Sequence, residues 1–273
     1  MPAAFVYQIF YDASTRAAAD SGFIPLDNAQ NARPDWAELW VILSFLARTE
    51  LRDDAYYGFF SPKFGLKTGL DSSFVYRTIE RAAPAADALL FSSFTDDLAL
   101  FQNPFEHGER VHPGLLDASQ QSLDAIGLKV DLRAMVTCLA NSVFSNFIVA
   151  NATFWRQWHK VALDFFHFAE NDPRVGKIGL LANVAHDRSL RYQTKVFIQE
   201  RLATLVLTKS RLAAFVPEEL AGFTRYDIGH RRLYVTLDLL KQKFLTTGNQ
   251  EYLALFRTLR EEHFADRIAP AGG

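Results

Sequence analysis

Apolar residues along this chain fall into short runs that stop abruptly at polar clusters. Phe5–Phe10 reads as a strand and ends at Tyr11-Asp12; Ala55–Phe60, Ala-Tyr-Tyr-Gly-Phe-Phe, ends at Ser61-Pro62-Lys63; Ala88–Phe94 ends at Asp96-Asp97. Helical patterns lie between them. In Trp36–Arg48, Trp36, Trp40 and Leu43 recur at helical spacing, and Asp35 with Glu38 three residues later forms a capping-box pattern. Gly22–Pro34 reads as a loop, Gly65–Gly69 as a turn and Ser73–Ala82 as a second helix. Strand, helix, strand, helix, strand predicts a parallel sheet covered by helices. Open sheets of this kind bind ligands outside the carboxyl ends of their strands. The three polar endings therefore mark the edge at which a nucleotide or sugar site is expected.

The pattern loosens after residue 100. Asn103-Pro104, Gly108, Pro113 and Gly114 punctuate a segment, 101–116, that reads as an irregular loop. A helix over Leu115–Ala125, a strand over Val143–Ala150 and a helix from about Thr153 with Trp155 and Trp158 follow. From Tyr192 onward the periodicity is helical, over 192–212, 230–246 and 250–264, with Gly248-Asn249 as stop and start between the last two. The closing Ala-Pro-Ala-Gly-Gly reads as a frayed tail. There is no internal repeat and no linker. The organisation expected is one domain over 1–212 with a helical C-terminal extension, 213–273, packed on it.

Composition narrows the function classes. At 273 residues with about half of them apolar, the chain can bury a sizeable core, and most of its 24 Phe must lie there. A net charge of −2 without any long basic run lacks the electrostatic footprint of a nucleic-acid binder. Cys138 is the single cysteine, so no disulfide forms within the chain, which fits a reducing cytoplasm. The start, Met-Pro-Ala-Ala-Phe, has no signal-peptide pattern, and no apolar stretch reaches the ~20 residues that span a bilayer. Gly-x-Ser-x-Gly, Gly-x-x-x-x-Gly-Lys and Gly-x-Gly-x-x-Gly are all absent, removing common hydrolases, P-loop enzymes and typical dehydrogenases.

Several groups are candidates for chemistry, each beside an ordinary structural role. Asp96-Asp97 can hold Mg²⁺ or Mn²⁺ against a diphosphate, or open a helix. Lys63 and Lys67 can neutralise phosphate, or sit solvated in a loop. Asp27, Asn28 and Asn31 suit ribose or sugar hydroxyls, and equally suit turns. Glu106, His107, Glu109 and His112 have the wrong spacing for zinc and suit a loop closing over substrate, or an inert surface. Glu200 interrupts the stripe Val196, Ala203, Leu207; it is either paired internally or turned into a cleft as a base.

The order of segments resembles the GT-A-type glycosyltransferases of bacterial capsule and O-antigen polysaccharide biosynthesis, over roughly residues 5–212. The resemblance is carried by Asp27-Asn28 and Asn31, Glu38-Leu39-Trp40, Tyr56-Tyr57-Gly58 leading to Lys63, Asn146-Phe147-Ile148-Val149 with Phe154-Trp155, and Glu200-Arg201-Leu202. Ser61-Pro62-Lys63-Phe64 stands where such proteins carry a cluster richer in His, Tyr and Arg, and only Asp96-Asp97 can stand in for their metal motif. What the resemblance implies is an α/β, Rossmann-like GT-A fold with a mixed, mostly parallel sheet and a helical C-terminal extension. It implies transfer of a sugar from a nucleotide-diphosphate donor to a hydroxyl of a polysaccharide or lipid-linked glycan, in the cytoplasm and peripherally at the inner membrane face, with Mn²⁺ or Mg²⁺ as the candidate cofactor. Tyr7, Tyr11 and the Asp27–Asn31 loop would then contact base and ribose; Lys63, Arg201, His112 and Asp96 the rest of the donor; Asp97 or Glu200 would act as base, with Asp97 as metal ligand. The alternatives are a non-catalytic module of a polysaccharide-assembly complex and, third, a glycoside hydrolase with two opposed carboxylates.

Overall fold

A computed structural model describes residues 2–83, 85–185, 191–210, 212–223 and 226–268, with no side-chain detail at 185 and 266–268. The expected tail, 269–273, lies outside the described residues. The sheet strands are β1 (Ala3–Phe10), β2 (Ile24–Asp27), β3 (Ala55–Phe60), β4 (Ala88–Leu90), β5 (Ile148–Asn151) and, after the hairpin β6 (Asn183–Ala185) and β7 (Arg191–Gln193), β8 (Ala214–Phe215). The helices of the first half are α1 (Ala13–Ala17), α2 (Ala37–Arg48), α3 (Phe64–Thr68), α4 (Ser72–Ala82), α5 (Thr95–Leu100), α6 (Pro104–Val111) and α7 (Leu115–Ala125). Those of the second half are α8 (Ala152–Asn171), α9 (Thr194–Gln199), α10 (Leu202–Lys209), α11 (Glu218–Ala221), α12 (Ile228–Thr247) and α13 (Gln250–Ile268).

The six strands pair in the order β2-β1-β3-β5-β4-β8, and β5 alone runs against the others. This is an α/β fold with a mixed, largely parallel sheet flanked by helices, and with a helical C-terminal region. All six residues of β3 are buried, as a central strand covered on both faces requires. On one face Trp155 of α8 meets Phe59 edge-on and donates from Nε1 to the Tyr57 carbonyl at 2.8 Å. On the other, Phe60 stacks on Phe64 at 4.0 Å in a cluster with Val75 and Ile79 of α4. The heavy Phe content is thus spent largely on the two layers against the sheet. Gly58 is needed where it stands, because a Cβ there would lie 2.8 Å from Val149 and 3.2 Å from Val6 on the neighbouring strands.

Four local expectations are corrected. Ile24–Asp27, inside the expected loop, is an edge strand, a position that tolerates Pro25. The segment 101–116 contains helix α6, opened by Asn103, whose side chain accepts from Phe105 N at 2.9 Å and Glu106 N at 3.0 Å, with Pro104 in the first turn. Asp35 does not cap α2; it accepts from Arg33 and from Lys195 Nζ at 2.6 Å. The expected helix 192–212 is broken at Glu200-Arg201 into α9 and α10.

The C-terminal helices form a layer of their own. α12 and α13 pack against each other, and Tyr234, Leu237, Leu253 and Phe256 bury against Leu98 and Leu100 of α5. Lys241, fully buried, donates to the carbonyls of Leu98 and Phe101 at the end of α5. Among the described residues no helix is long and apolar enough to cross a membrane.

Candidate active site

Strands β1 and β3 are parallel neighbours, so their carboxyl ends deliver Tyr11 and Ser61-Pro62-Lys63 to the same edge. There a cleft of about 450 Å³ opens. Tyr11 and Thr15 follow β1; Asn31, Pro34, Ala37 and Glu38 lead into α2; Ser61, Pro62, Lys63 and Lys67 follow β3; Tyr192, Val196, Phe197 and Glu200 come from β7, α9 and the break after it. The break gives Glu200 its direction. Glu200 lines the cleft, whereas Arg201 turns the opposite way, buried, donating from Nε to the Pro104 carbonyl at 2.8 Å and from Nη1 to that of Phe197.

The electrostatics follow from partial burial. Removal from water raises the Glu200 carboxyl above the usual range; the positive charges of Lys67 and Arg201 act against this, and the carboxylate of Glu38 adds to it. Burial likewise raises the Tyr11 phenol, and its hydrogen bond to Glu38 raises it further. Tyr11 is therefore a neutral donor to Glu38 at any physiological pH. Lys67 Nζ donates to Ser145 Oγ at 3.2 Å and lies 5.8 Å from the Phe147 ring centroid, while Lys63 is exposed at the rim. Two carboxylates, two ammonium groups and two phenols thus face one cavity.

The wall behind Glu200 is anchored by buried charge. Lys195, 2 % exposed, meets Asp35 at 2.6 Å and Glu170 at 3.5 Å, and Arg33 bridges the same two carboxylates. The hydrogen bond from Arg33, reinforced by Lys195, lowers the Asp35 carboxyl to about 2. This network ties α9 to the segment entering α2, and with it the turn that presents Glu200.

The cleft brings together Tyr11, Asn31, Lys63, Lys67 and Glu200 of the residues singled out from sequence. It does not bring in the others. Tyr7 stacks on Phe59 at 5.5 Å and packs on Phe45 at 4.9 Å, beneath α2. Asp27 accepts from Ala29 N at 2.8 Å in a turn, and Asn28 is buried beside Asn31. The His112 ring is buried 4.0 Å from that of Phe197. Asp96 and Asp97 lie in the first turn of α5, where acidic residues complement the helix dipole. Asp96 accepts from Tyr226 Oη at 2.6 Å, and Asp97 is 3.5 Å from His107 Nε2 in a groove otherwise lined by Leu100, Phe101, Arg110, Val111 and Phe264. Burial lowers His107 to about 4, so its ring is neutral there. Such a setting lacks the oxygen-rich shell that Mg²⁺ or Mn²⁺ requires, and among the described residues no group of three His, Cys, Asp or Glu side chains could hold a metal. Helix α6, expected as a closing loop, is pinned by the Glu106–Arg260 pair at 2.9 Å and does not border the cleft.

Glu38 and Tyr192 belong to the cleft without having been singled out for chemistry. Glu38 carried only a capping signal in the sequence, and Tyr192 only the start of a helical run.

No protein-family model matches the chain, and no curated protein sequence does. Among solved structures, the chain is similar to the apo structure of WbbM, a bifunctional glycosyltransferase, at 13% identity and a TM-score of 0.43, covering 78% of this chain and 44% of that one. The chain spans less than half the length of that structure, and a likeness at this level bears on neither substrate nor mechanism.

Proposed function

We propose that the cleft binds a nucleotide-diphosphate sugar and that the chain transfers the sugar to a hydroxyl of a glycan or lipid-linked acceptor. The observation that supports this most is the convergence of Lys63 and Lys67 with Glu38 and Glu200 at the carboxyl edge of parallel strands. Binding there follows the general placement of ligands in open α/β sheets. In this reading Tyr11 and Asn31 hold the nucleoside part, and the two ammonium groups meet the diphosphate, whose negative charge grows as it leaves. The acceptor oxygen attacks the anomeric carbon, the bond from that carbon to the phosphate oxygen breaks, and the departing diphosphate keeps the electron pair. Glu200 takes the acceptor's proton, a task for which a carboxylate of raised pKa is better suited than an ordinary one. The transfer occurs with inversion if Glu200 acts in this way.

A glycoside hydrolase is the second reading, because Glu38 and Glu200 share the cleft. The two lysines beside that pair favour a leaving diphosphate over a leaving sugar alcohol. Thermal melting with UDP, GDP, CDP and dTDP, each with and without Mn²⁺, tests the first reading. At least one is expected to raise the melting temperature, and Lys67→Met to weaken that nucleotide by about 10–100-fold through loss of a charge-assisted contact. Silence from all four sinks the proposal; release of nitrophenol from nitrophenyl glycosides would favour the hydrolase instead.

A further inference from the structure

The floor of the cleft is hollow. A second chamber of about 20 Å³, room for roughly one water, shares Glu38, Ser61, Lys67 and Glu200 with the cleft above and is closed below by Asn146 and Gln199. Those two residues are 4 % and 2 % exposed, and Asn146 Oδ1 and Gln199 Oε1 have no hydrogen-bond partner. Buried acceptors left bare cost stability and are rare in folded proteins. Gln199 is not free to turn away, and the backbone that carries Asn146 is fixed. Gln199 Nε2 is held by the Trp36 carbonyl at 3.1 Å. Asn146 sits in a left-handed pair, with φ of 57° at Ser145 and 53° at Asn146, fixed by Lys67 on Ser145 Oγ and by Ile148 N on the Asn146 carbonyl at 2.8 Å. Strained backbone of this kind persists where surrounding contacts over-determine it, commonly at ligand clamps.

The occupant must be small, uncharged and able to donate. A phosphate oxygen only accepts and would face amide oxygens and two carboxylates. A metal ion would sit beside the Lys67 ammonium. A methyl group would leave both acceptors bare. A sugar hydroxyl can replace a resident water, which donates to both oxygens: it donates its one proton to either carbonyl oxygen and accepts from Lys67.

We propose that this chamber receives one ring hydroxyl of the sugar being transferred, which donates to Asn146 Oδ1 or Gln199 Oε1, so that the chamber and not the rim selects the sugar. The inference rests on the reading of the cleft as a nucleotide-sugar site. It is tested by calorimetry on the full chain with the nucleoside diphosphate that binds, with its hexose conjugate, and with conjugates lacking each ring hydroxyl in turn. Asn146→Gly, which suits the left-handed backbone, and Gln199→Met are the variants.

Both variants are expected to bind the nucleoside diphosphate within about twofold of the parent chain, and at least one of them to bind the hexose conjugate about tenfold or more weakly. One deoxy conjugate is expected to bind the parent chain about tenfold more weakly than the full hexose, and to lose that deficit in whichever variant lacks the accepting oxygen. The assignment is overturned alone if the nucleoside diphosphate binds but the hexose adds nothing, or if the variants keep the full sugar increment. Should a variant fail to fold, the deoxy series on the parent chain decides: no sensitive ring position overturns the chamber. If no nucleoside diphosphate binds the parent chain, the reading of the cleft falls and the chamber's assignment with it.

Discussion

Glu200 carries the sharpest demand on a single side chain, because its ionised form is disfavoured where it sits. A carboxyl whose folded pKa is raised binds its proton more tightly in the native state than in the unfolded one. Its contribution to stability therefore falls as pH rises from the unfolded value of 4.5 through the raised folded value, and stays lower above it. Glu200→Gln removes that fall. The variant is expected to melt no lower than the parent chain at neutral pH, while sugar transfer drops by about 10²–10⁴-fold and loses its dependence on the acidic limb of the pH profile. A loss of folding together with activity would reassign Glu200 to structure. Part of this was legible beforehand: a lone carboxylate in an apolar stripe is either paired or aimed at a cleft, and only coordinates separate the two. Asn146 and Gln199 gave no comparable signal, because an amide in a buried run looks the same whether its oxygen is bonded or bare.

At the scale of elements, charges buried in apolar stripes hold pieces of chain together that sequence distance keeps apart. Lys195 reaches 160 residues back to Asp35, and Arg201 reaches 97 back to Pro104. Lys195→Met is expected to lower stability by about 1–3 kcal/mol, read from urea unfolding, because it strips partners from a half-exposed Asp35 and a half-buried Glu170. It is also expected to weaken nucleotide binding more than an exposed substitution such as Lys177→Met, since α9 is the wall it anchors. Unchanged binding would show that the network serves stability only. Such tertiary ties explain which elements were readable. Ala55–Phe60 and Leu115–Ala125 are bounded by local chemistry and emerge with the bounds expected. The break between α9 and α10 is not local: the apolar periodicity runs through it, and a continuous helix would satisfy it equally well. The start of α6 was written in Asn103-Pro104 and was masked by Gly108 and Pro113, which suggested a loop; Gly108 in fact leaves space for the Arg201 guanidinium, whose Nη2 would lie 2.9 Å from a Cβ.

The whole molecule is fastened at its far end by Lys241. Burial lowers this ammonium to about 8, with Asp238 acting in the opposite direction. A lysine whose folded pKa is depressed is destabilising while charged, so stability is expected to rise with pH from about 8 toward the unfolded value of 10.5. Urea unfolding of the parent chain against Lys241→Met checks the sign. The difference in stability between them should shift in the parent's favour between about pH 8 and pH 10, and a flat difference would mean that the buried ammonium keeps its proton across that range. Legibility at this scale was uneven. The helical C-terminal region was plain from its periodicity, whereas its attachment to α5, remote from the cleft, needed the coordinates.

The reversed strand β5 also governs how the molecule comes into being. Until β5 is added, β3 has β1 on one side and an open row of backbone donors and acceptors on the other, carrying Ala-Tyr-Tyr-Gly-Phe-Phe. The strand that covers it begins at Ile148, nearly ninety residues after Phe60. At ~5–20 residues per second a nascent chain would hold that sticky edge uncovered for roughly 5–20 seconds. During ribosomal synthesis the aromatic strand at the heart of the finished sheet is thus its most vulnerable segment, and the interval before β5 arrives is when a chaperone would have most to protect.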